Sequence, residues 1–266
     1  MNRRQFLATS AASVAALSLT PSGQGTSTLG ATPQWIQIRT YHFASPAKLK
    51  AYSEFLAANV DSLVRAGAAT VGLFRQFAAD NPKLKQKDDN DLIVLLSHEG
   101  ATTFLNFEVR LSVEKAYQEA GKELLLSSKD DPAFARMDVE LLEAFYAFPK
   151  VKPGEISEGR VLEMRMYESP NQERAANKVE MFNKGEIPIF ERVGMPGIFW
   201  GRAVAGQDLP HLTYMVHHKS IEDVPKNWKA FGSDPEWNKM KADPQYKDNV
   251  SRITNRFLRP VSGSQI

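Results

Sequence analysis

The segment DDPAFARM at residues 130–137 returns in altered form as SDPEWNKM at residues 233–240. Upstream, IRTY at residues 38–41 has a counterpart in MRMY at residues 164–167. Because the matching segments follow one another in the same order, they indicate a duplicated module rather than chance similarity. The sequence therefore predicts two related halves, and one module decides the fold.

Each half shows the same predicted order of elements. A strand precedes a helix that ends at Gly67 or Gly194, and two strands, a helical stretch with the Asp-Pro pair and a last strand follow. The predicted strands are Trp35–Phe43, Thr70–Phe77, Asp91–His98 and Val139–Phe148, then Arg160–Tyr167, Gly197–Ala205, His211–His218 and Val250–Leu258. This β-α-β-β-α-β order is typical of a ferredoxin-like module.

The duplication also predicts how the modules pack. An antiparallel four-stranded sheet covers one face with its own helices, so its other face needs a partner. We expect an α+β fold in which two tandem ferredoxin-like modules pack sheet to sheet, forming a barrel with helices outside. The predicted segments are an export signal and flexible leader at 1–31, a first domain at 32–149, a linker at 150–159, a second domain at 160–260 and a tail at 261–266.

The N-terminus has the organisation of an export signal. The paired Arg3 and Arg4 precede an apolar run from Ala8 to Leu19 and then a stretch rich in Ser, Thr and Gly. The pair followed by Phe6 resembles a twin-arginine signal. The apolar run is shorter than the roughly 20 residues that a membrane span needs. We expect a periplasmic or extracellular protein, exported by the twin-arginine route, with no stable membrane span after processing.

Composition narrows the classes of partner. The chain has no cysteine, which excludes disulfides and thiolate chemistry. Its net charge of +2 includes Arg3 and Arg4, so the remainder is close to neutral and gives no support for nucleic-acid binding. We expect a small-molecule ligand as the partner. Association of the chain with a second copy of itself is left open.

The second half resembles the NIPSNAP family of the dimeric α/β-barrel superfamily. The resemblance rests on EMRMY at 163–167, IP at 187–188, ERVG at 191–194, GIFW at 197–200, Trp228, Phe231 and DPEW at 234–237. It implies a barrel-like pseudo-dimer, but no general reaction. The first half departs from the pattern, with Gln37 in place of Glu163 and Leu73 in place of Trp200. We therefore expect any site to depend mainly on the second half.

Strand alternation separates two faces of each first strand. Apolar side chains share one face and an Arg/Tyr set shares the other, because successive side chains point to opposite sides. We expect the apolar face to lie under the helices and the polar face to point between the sheets. The candidate ligand-binding residues are Glu163, Arg165, Tyr167, Trp200, Arg202, Arg39 and Tyr41.

Two interpretations of this cluster remain open. In the first, Arg165 pairs with Glu163 and fixes how the halves dock, so the protein has a structural or interaction role. In the second, the arginines bind a small polar or anionic molecule in the inter-sheet cavity, since a guanidinium is a good carboxylate clamp. The sequence leaves open whether the protein is an enzyme, and no catalytic residue is assigned.

The histidines suggest a third alternative. His98 and His218 lie at equivalent strand ends and are weak candidates for metal or haem ligands, although ordinary hydrogen bonding is the more common role. Members of the superfamily include haem enzymes, so a haem-dependent oxidoreductase is an alternative by analogy. No metal site and no cofactor are predicted.

Overall fold

Eight antiparallel strands close into a barrel in the part of the chain that the computed structural model describes, residues 31–83, 90–154 and 159–266. The strands are β1 Trp35–His42, β2 Thr70–Arg75, β3 Asp91–His98, β4 Arg136–Ala144, β5 Val161–Glu168, β6 Gly197–Ala205, β7 His211–His218 and β8 Arg252–Pro260. The predicted bounds of β3, β6 and β7 are confirmed. The predicted export signal lies outside the described residues.

Helices connect the strands on the outside of the barrel. In the first half they are α1 Pro46–Ala58, α2 Val60–Ala66, α3 Ala101–Val113, α4 Lys115–Ala120 and α5 Lys122–Leu125. In the second half they are α6 Gln172–Met181, a π-helical turn Phe182–Glu186, α7 Ile187–Arg192, α8 Asp223–Ser233, α9 Pro235–Lys241 and a 3-10 turn Pro244–Tyr246. None of these described helices has the length and apolar character needed to cross a membrane.

The order of strands around the barrel is β1-β3-β2-β8-β5-β7-β6-β4. Each half contributes four neighbouring strands in the same relative order, β4-β1-β3-β2 and β8-β5-β7-β6. The halves are hydrogen-bonded at both edges, through β4 with β6 and β2 with β8. The two four-stranded sheets expected from the sequence are therefore joined into one continuous ring of strands. Residues 31–266 form one compact unit.

The two seams between the halves are built differently. The β4–β6 seam has four paired positions, whereas β2 and β8 pair at two, Phe74 with Pro260 and Arg75 with Arg259. Asn81 extends the shorter seam, because its side-chain amide donates to the Phe257 carbonyl and accepts from the Phe257 N–H, both at 2.8 Å. Its two amide atoms thus take the place of a strand backbone.

Local signals explain where the helices begin and end. Ser45 caps α1 by accepting from the Lys48 N–H, and Pro46 occupies the first turn, as predicted. Asp234 caps α9, which begins at Pro235, by accepting from the backbone N–H groups of Glu236 and Trp237. The first Asp-Pro pair differs: Asp131 starts no helix, because the chain enters β4 at Arg136 only a few residues later.

The long helical segment of the second half is interrupted before Pro188. Gly185 leaves the helical conformation within the π-helical turn, and α7 then begins so that Pro188 lies in its first turn. A proline in the first turn costs no hydrogen bond, since its missing N–H would have had no helical partner. The predicted interruption is confirmed, and Gly185 absorbs it.

The predicted orientation of the strand faces is wrong. Ile36 and Ile38 pack with Leu162 and Met164 in one apolar cluster inside the barrel. Tyr41 packs with helix residues of the first half, and Tyr167 packs with those of the second. Both faces of the sheet are covered, so hydrophobic alternation does not distinguish the inside from the outside. The Arg/Tyr face lies under the helices, where tyrosine rings and the stems of arginines are buried.

Candidate functional site

The interior of the barrel changes from apolar to polar along its axis. The apolar end contains the Ile36–Ile38 side of β1, Leu162 and the C-terminal Ile266. At the other end a cavity of about 680 Å³ opens between the strands. Its polar lining includes Thr40, His42, Asp91, Asp138, Glu140, His211, Thr213, Thr254 and Arg256. This cavity lies in the predicted space between the sheets, but none of the seven candidate ligand-binding residues lines it.

His42 lies between two carboxylates at the rim of this cavity. Its Nδ1 is 2.7 Å from Asp91 Oδ1, and its Nε2 is 3.0 Å from Asp138 Oδ2. Asp91 is directly opposite His42 on β3, and Asp138 lies on the neighbouring strand β4. Both ring nitrogens donate at once only when the imidazole carries a positive charge. The arrangement therefore holds the His42 ring between two carboxylates at the cavity surface.

A second histidine–carboxylate pair joins β7 to β4 inside the barrel. His211 Nε2 is 2.8 Å from Glu140 Oε1, and the Thr213 hydroxyl donates to the same oxygen at 2.6 Å. Burial alone would lower the pKa of His211, but the hydrogen bond and charge of Glu140 outweigh it, so the pKa is raised. Glu140 therefore favours the charged imidazole inside the barrel.

Four donors surround the carboxylate of Glu163 beneath the helices of the second half. Arg165 Nη1 and Asn255 Nδ2 donate to Oε1 at 2.6 and 3.2 Å. The Trp228 indole donates to Oε2 at 2.7 Å, and His218 Nε2 lies 3.1 Å from it. Burial alone would raise the pKa of Glu163, but hydrogen bonding by His218 and the charge of Arg165 lower it. Both carboxylate oxygens of Glu163 are thus paired, while Arg165 Nε has no hydrogen-bond partner among the described residues.

Tyr167 and Trp200 belong to the same filled region. The hydroxyls of Tyr167 and Tyr214 are 2.9 Å apart, and Trp200 stacks on Tyr214 with ring centroids 4.5 Å apart. All three rings are buried. Burial raises the pKa of both tyrosines, so they stay neutral. They pack with residues of the covering helices and so anchor these helices on the sheet.

Arg202 lies away from the other candidates. It is more than half exposed and donates through Nε to Glu143 Oε2 at 2.7 Å. Glu143 is the residue opposite it across the β4–β6 seam. Arg202 therefore forms a contact between the two halves of the barrel. Such a contact was expected of Arg165 instead.

Arg39 and Tyr41 lie under the helices of the first half, beside a separate pocket of about 490 Å³. Arg39 donates to Tyr41 Oη at 3.3 Å and to Gln37 Oε1 at 2.9 Å, and it forms an ion pair with Glu108 on α3. The candidates expected to form one cluster are thus divided among the first half, the second half and a seam.

The histidines at the strand ends are both fully buried. His98 Nδ1 donates to the Gly67 carbonyl at 3.3 Å, and burial lowers the pKa of His98 to about 4, which keeps it neutral. His218 contacts Glu163 and Asn227 through its two nitrogens. Among the described residues, no group of three or more His, Asp and Glu side chains is arranged to hold a metal ion.

The residues of the polar cavity had a signal in the sequence. Thr40 and His42 continue the alternation of Ile36 and Ile38, so the inward face of β1 becomes polar toward its C-terminal end. β4 carries Asp138 and Glu140 in the same way. The predicted start of β4 at Val139 placed Asp138 outside the strand and hid this pattern.

Residues 162–265 match the NIPSNAP family model. The first half lies outside that match. No curated protein matches the chain in sequence.

Solved structures share the whole barrel. A proposed monooxygenase of Lactobacillus acidophilus NCFM superposes with a TM-score of 0.55 at 10% identity, covering 88% of this chain and 98% of that one. A proposed monooxygenase of Fusobacterium nucleatum gives 0.54 at 9% identity, covering 86% and 93%. A NIPSNAP-like domain protein of Burkholderia xenovorans is 22% identical over 41% of this chain and 92% of its own, with a TM-score of 0.36. At these identities the first two likenesses show the fold alone.

Proposed function

We propose that this protein, whose residues 162–265 match the NIPSNAP family, binds a small polar molecule in the polar end of its barrel. The supporting observation is the convergence of five acidic residues on one cavity: Asp80, Asp91, Asp138, Glu140 and Asp208. The cavity volume of about 680 Å³ lies in the range of small-molecule sites, roughly 300–1,000 Å³. Asp91 is buried, whereas Asp138 and Glu140 are partly exposed, so their carboxylates are not part of a closed, packed core.

The lining selects a ligand that donates hydrogen bonds. Carboxylates accept and do not donate when ionised, so amine or hydroxyl groups complement them. An anion, which the sequence analysis also allowed, is less suited to this cavity because acids outnumber the lysine and arginine of its lining. We infer an amine or a polyol, with His42 and His211 holding the carboxylates in position.

Thermal-shift and calorimetric titrations with 1,4-diaminobutane, myo-inositol and citrate test this proposal. We expect the amine or the polyol to bind and citrate not to bind. Glu140→Gln should abolish binding, whereas Glu54→Gln, on the exposed face of α1, should leave it unchanged. Equal binding of citrate, or unchanged binding by Glu140→Gln, would contradict the proposal. Native mass spectrometry of the protein from its own cells would reveal a retained ligand.

The interaction-protein and haem alternatives give other outcomes. An interaction protein would bind none of the three probes and would carry no retained small molecule. A haem protein would show a Soret band when purified from its own compartment. For haem, His218 would have to give up its contact with Glu163 or with Asn227, which weakens that alternative.

We also propose that the chain is a tandem pair of ferredoxin-like modules that is exported. The identical strand order of the two halves supports the duplication. Arg3 and Arg4 ahead of an apolar run support the twin-arginine route. Replacing both arginines by lysine should retain the protein inside the cell. Secretion of that variant at the original level would contradict the route.

A further inference from the structure

The pocket of about 490 Å³ in the first half lies between the outer face of the sheet and its covering helices. Arg39 and Tyr41 of β1 form its floor, and Tyr52, Tyr117 and Phe134 form part of its wall. Three leucines, Ala133 and Met137 add apolar surface, whereas Ser112, Gln118 and Ser127 add polar groups, so a mixed polar and apolar wall surrounds one guanidinium. This is a different place from the barrel interior, on the other face of β1.

The two halves neutralise their equivalent arginines differently. Arg165 has a resident counter-ion, because Glu163 stands two residues earlier and is only 1% exposed. At the position equivalent to Glu163 the first half has Gln37, a neutral amide. The charge of Arg39, whose side chain is 8% exposed, is therefore not balanced from within its own strand.

Glu108 supplies the carboxylate that Arg39 contacts. Its side chain projects from α3 and is 66% exposed, so water competes for it and salt screens it. Arg39 Nε is buried and has no hydrogen-bond partner among the described residues, as is also true of Arg165 Nε, so the exposed counter-ion is what distinguishes Arg39. A buried cation with an open donor and a solvent-exposed partner is ready to exchange that partner for another carboxylate.

The corresponding region of the second half is closed. The Trp228 ring covers Arg165, with the guanidinium carbon 4.3 Å from the ring centroid, and the Trp228 indole also donates to Glu163. Over Arg39 the Phe107 ring lies at 5.4 Å and offers no donor. The loss of the inner carboxylate thus coincides with an open pocket.

We propose that this pocket binds an organic monocarboxylate with an aromatic or aliphatic body. The carboxylate replaces that of Glu108 on Arg39, and the body lies against the tyrosines and Phe134. Binding is competitive with the Arg39–Glu108 ion pair, so Glu108 lowers the affinity for the ligand.

Calorimetric titration of the full chain with 4-phenylbutyrate and its neutral amide tests this site. The carboxylate should bind about tenfold or more tightly than the amide, because the charge-assisted bond to Arg39 is lost in the amide. Glu108→Gln should strengthen binding, since it removes the competing carboxylate. Gln37→Glu should weaken it, because it restores the resident counter-ion of the second half.

Two controls separate this site from the barrel cavity. Glu140→Gln, inside the barrel, and Glu54→Gln, on the surface, should both bind 4-phenylbutyrate as the wild type does. Equal binding of acid and amide, weaker binding by Glu108→Gln, or loss of binding in Glu140→Gln would each overturn the proposal. Arg39→Met should abolish binding, and if that variant does not fold, the Glu108 and Gln37 variants decide the outcome.

Discussion

The indole of Trp228 donates a hydrogen bond to the carboxylate of Glu163 at 2.7 Å. This bond joins α8 to β5, and the same carboxylate is reached by donors from β7 and β8. One acidic side chain therefore connects a helix to three strands of the second half.

We expect Glu163→Gln to lower the free energy of unfolding by about 3–5 kcal/mol, because it leaves the buried Arg165 without its counter-ion. The pKa of Glu163 is lower in the folded than in the unfolded protein. The ionised carboxylate therefore adds to the free energy of unfolding at a pH above its unfolded pKa, and this contribution is lost as the pH falls through its folded pKa. Urea denaturation of both proteins between pH 3 and pH 7 should show the difference shrinking in acid. A constant difference would contradict the assignment.

A buried ion pair in the second half provides another test. Lys178 Nζ is 2.6 Å from Glu186 Oε2, and both side chains are almost fully buried. Lys178→Met should cost about 3–5 kcal/mol, and adding Glu186→Leu should restore most of it. Lys184→Met, which breaks an exposed pair with Glu180, should leave the midpoint of unfolding nearly unchanged. Failure of the double variant to recover would show that the pair itself is needed.

The His211–Glu140 pair should make stability depend on pH near neutrality. The pKa of His211 is raised in the folded protein above its unfolded value of 6.5. The charged imidazole therefore adds its full contribution to the free energy of unfolding below pH 6.5, and this contribution is lost as the pH rises through the folded pKa. His211→Gln should remove this decline between pH 6 and pH 9. NMR titration of the ring should give the folded pKa directly, and a value below 6.5 would contradict this prediction.

Asn81 should control the opening of the β2–β8 seam. Asn81→Ala removes both hydrogen bonds to Phe257, each worth about 1 kcal/mol, whereas Asn81→Asp keeps the acceptor and loses the donor. Amide exchange at Phe257 should accelerate most in the alanine variant and less in the aspartate variant. Asn106→Ala, on the exposed surface of α3, serves as the control. Unchanged exchange in Asn81→Ala would mean that backbone pairing alone holds the seam.

Repetition and alternation were enough to predict the elements, their order and the α+β class. Alternation failed at the faces of β1 and β5, because strands covered on both sides carry apolar residues on both sides. It did separate Arg39 and Tyr41 from Ile36 and Ile38 correctly, so the error lies only in which face was assigned to the interior. No local pattern could have fixed that choice.

The candidate ligand-binding residues lie in three separate places because their positions depend on contacts between elements distant in the sequence. Arg165 and Arg202 share a face, but Arg202 lies on β6 at the seam, where Glu143 of the other half pairs with it. Such a contact depends on the register between halves, which the repeat alone does not determine. The open pocket at Arg39 likewise depends on how α3 and the residues before β4 cover the sheet.

The continuous ring of strands allows the two halves of the barrel to differ at equivalent positions. In a symmetric homodimer both subunits carry the same residue at every equivalent position, so a change that suits one site is imposed on the other. Here backbone hydrogen bonds close the ring whatever the side chains are, and Gln37 can differ from Glu163. The covalent ring therefore permits an asymmetry that a symmetric homodimer forbids: the second half keeps the paired Glu163–Arg165 cluster, and the first half has different chemistry at the equivalent place.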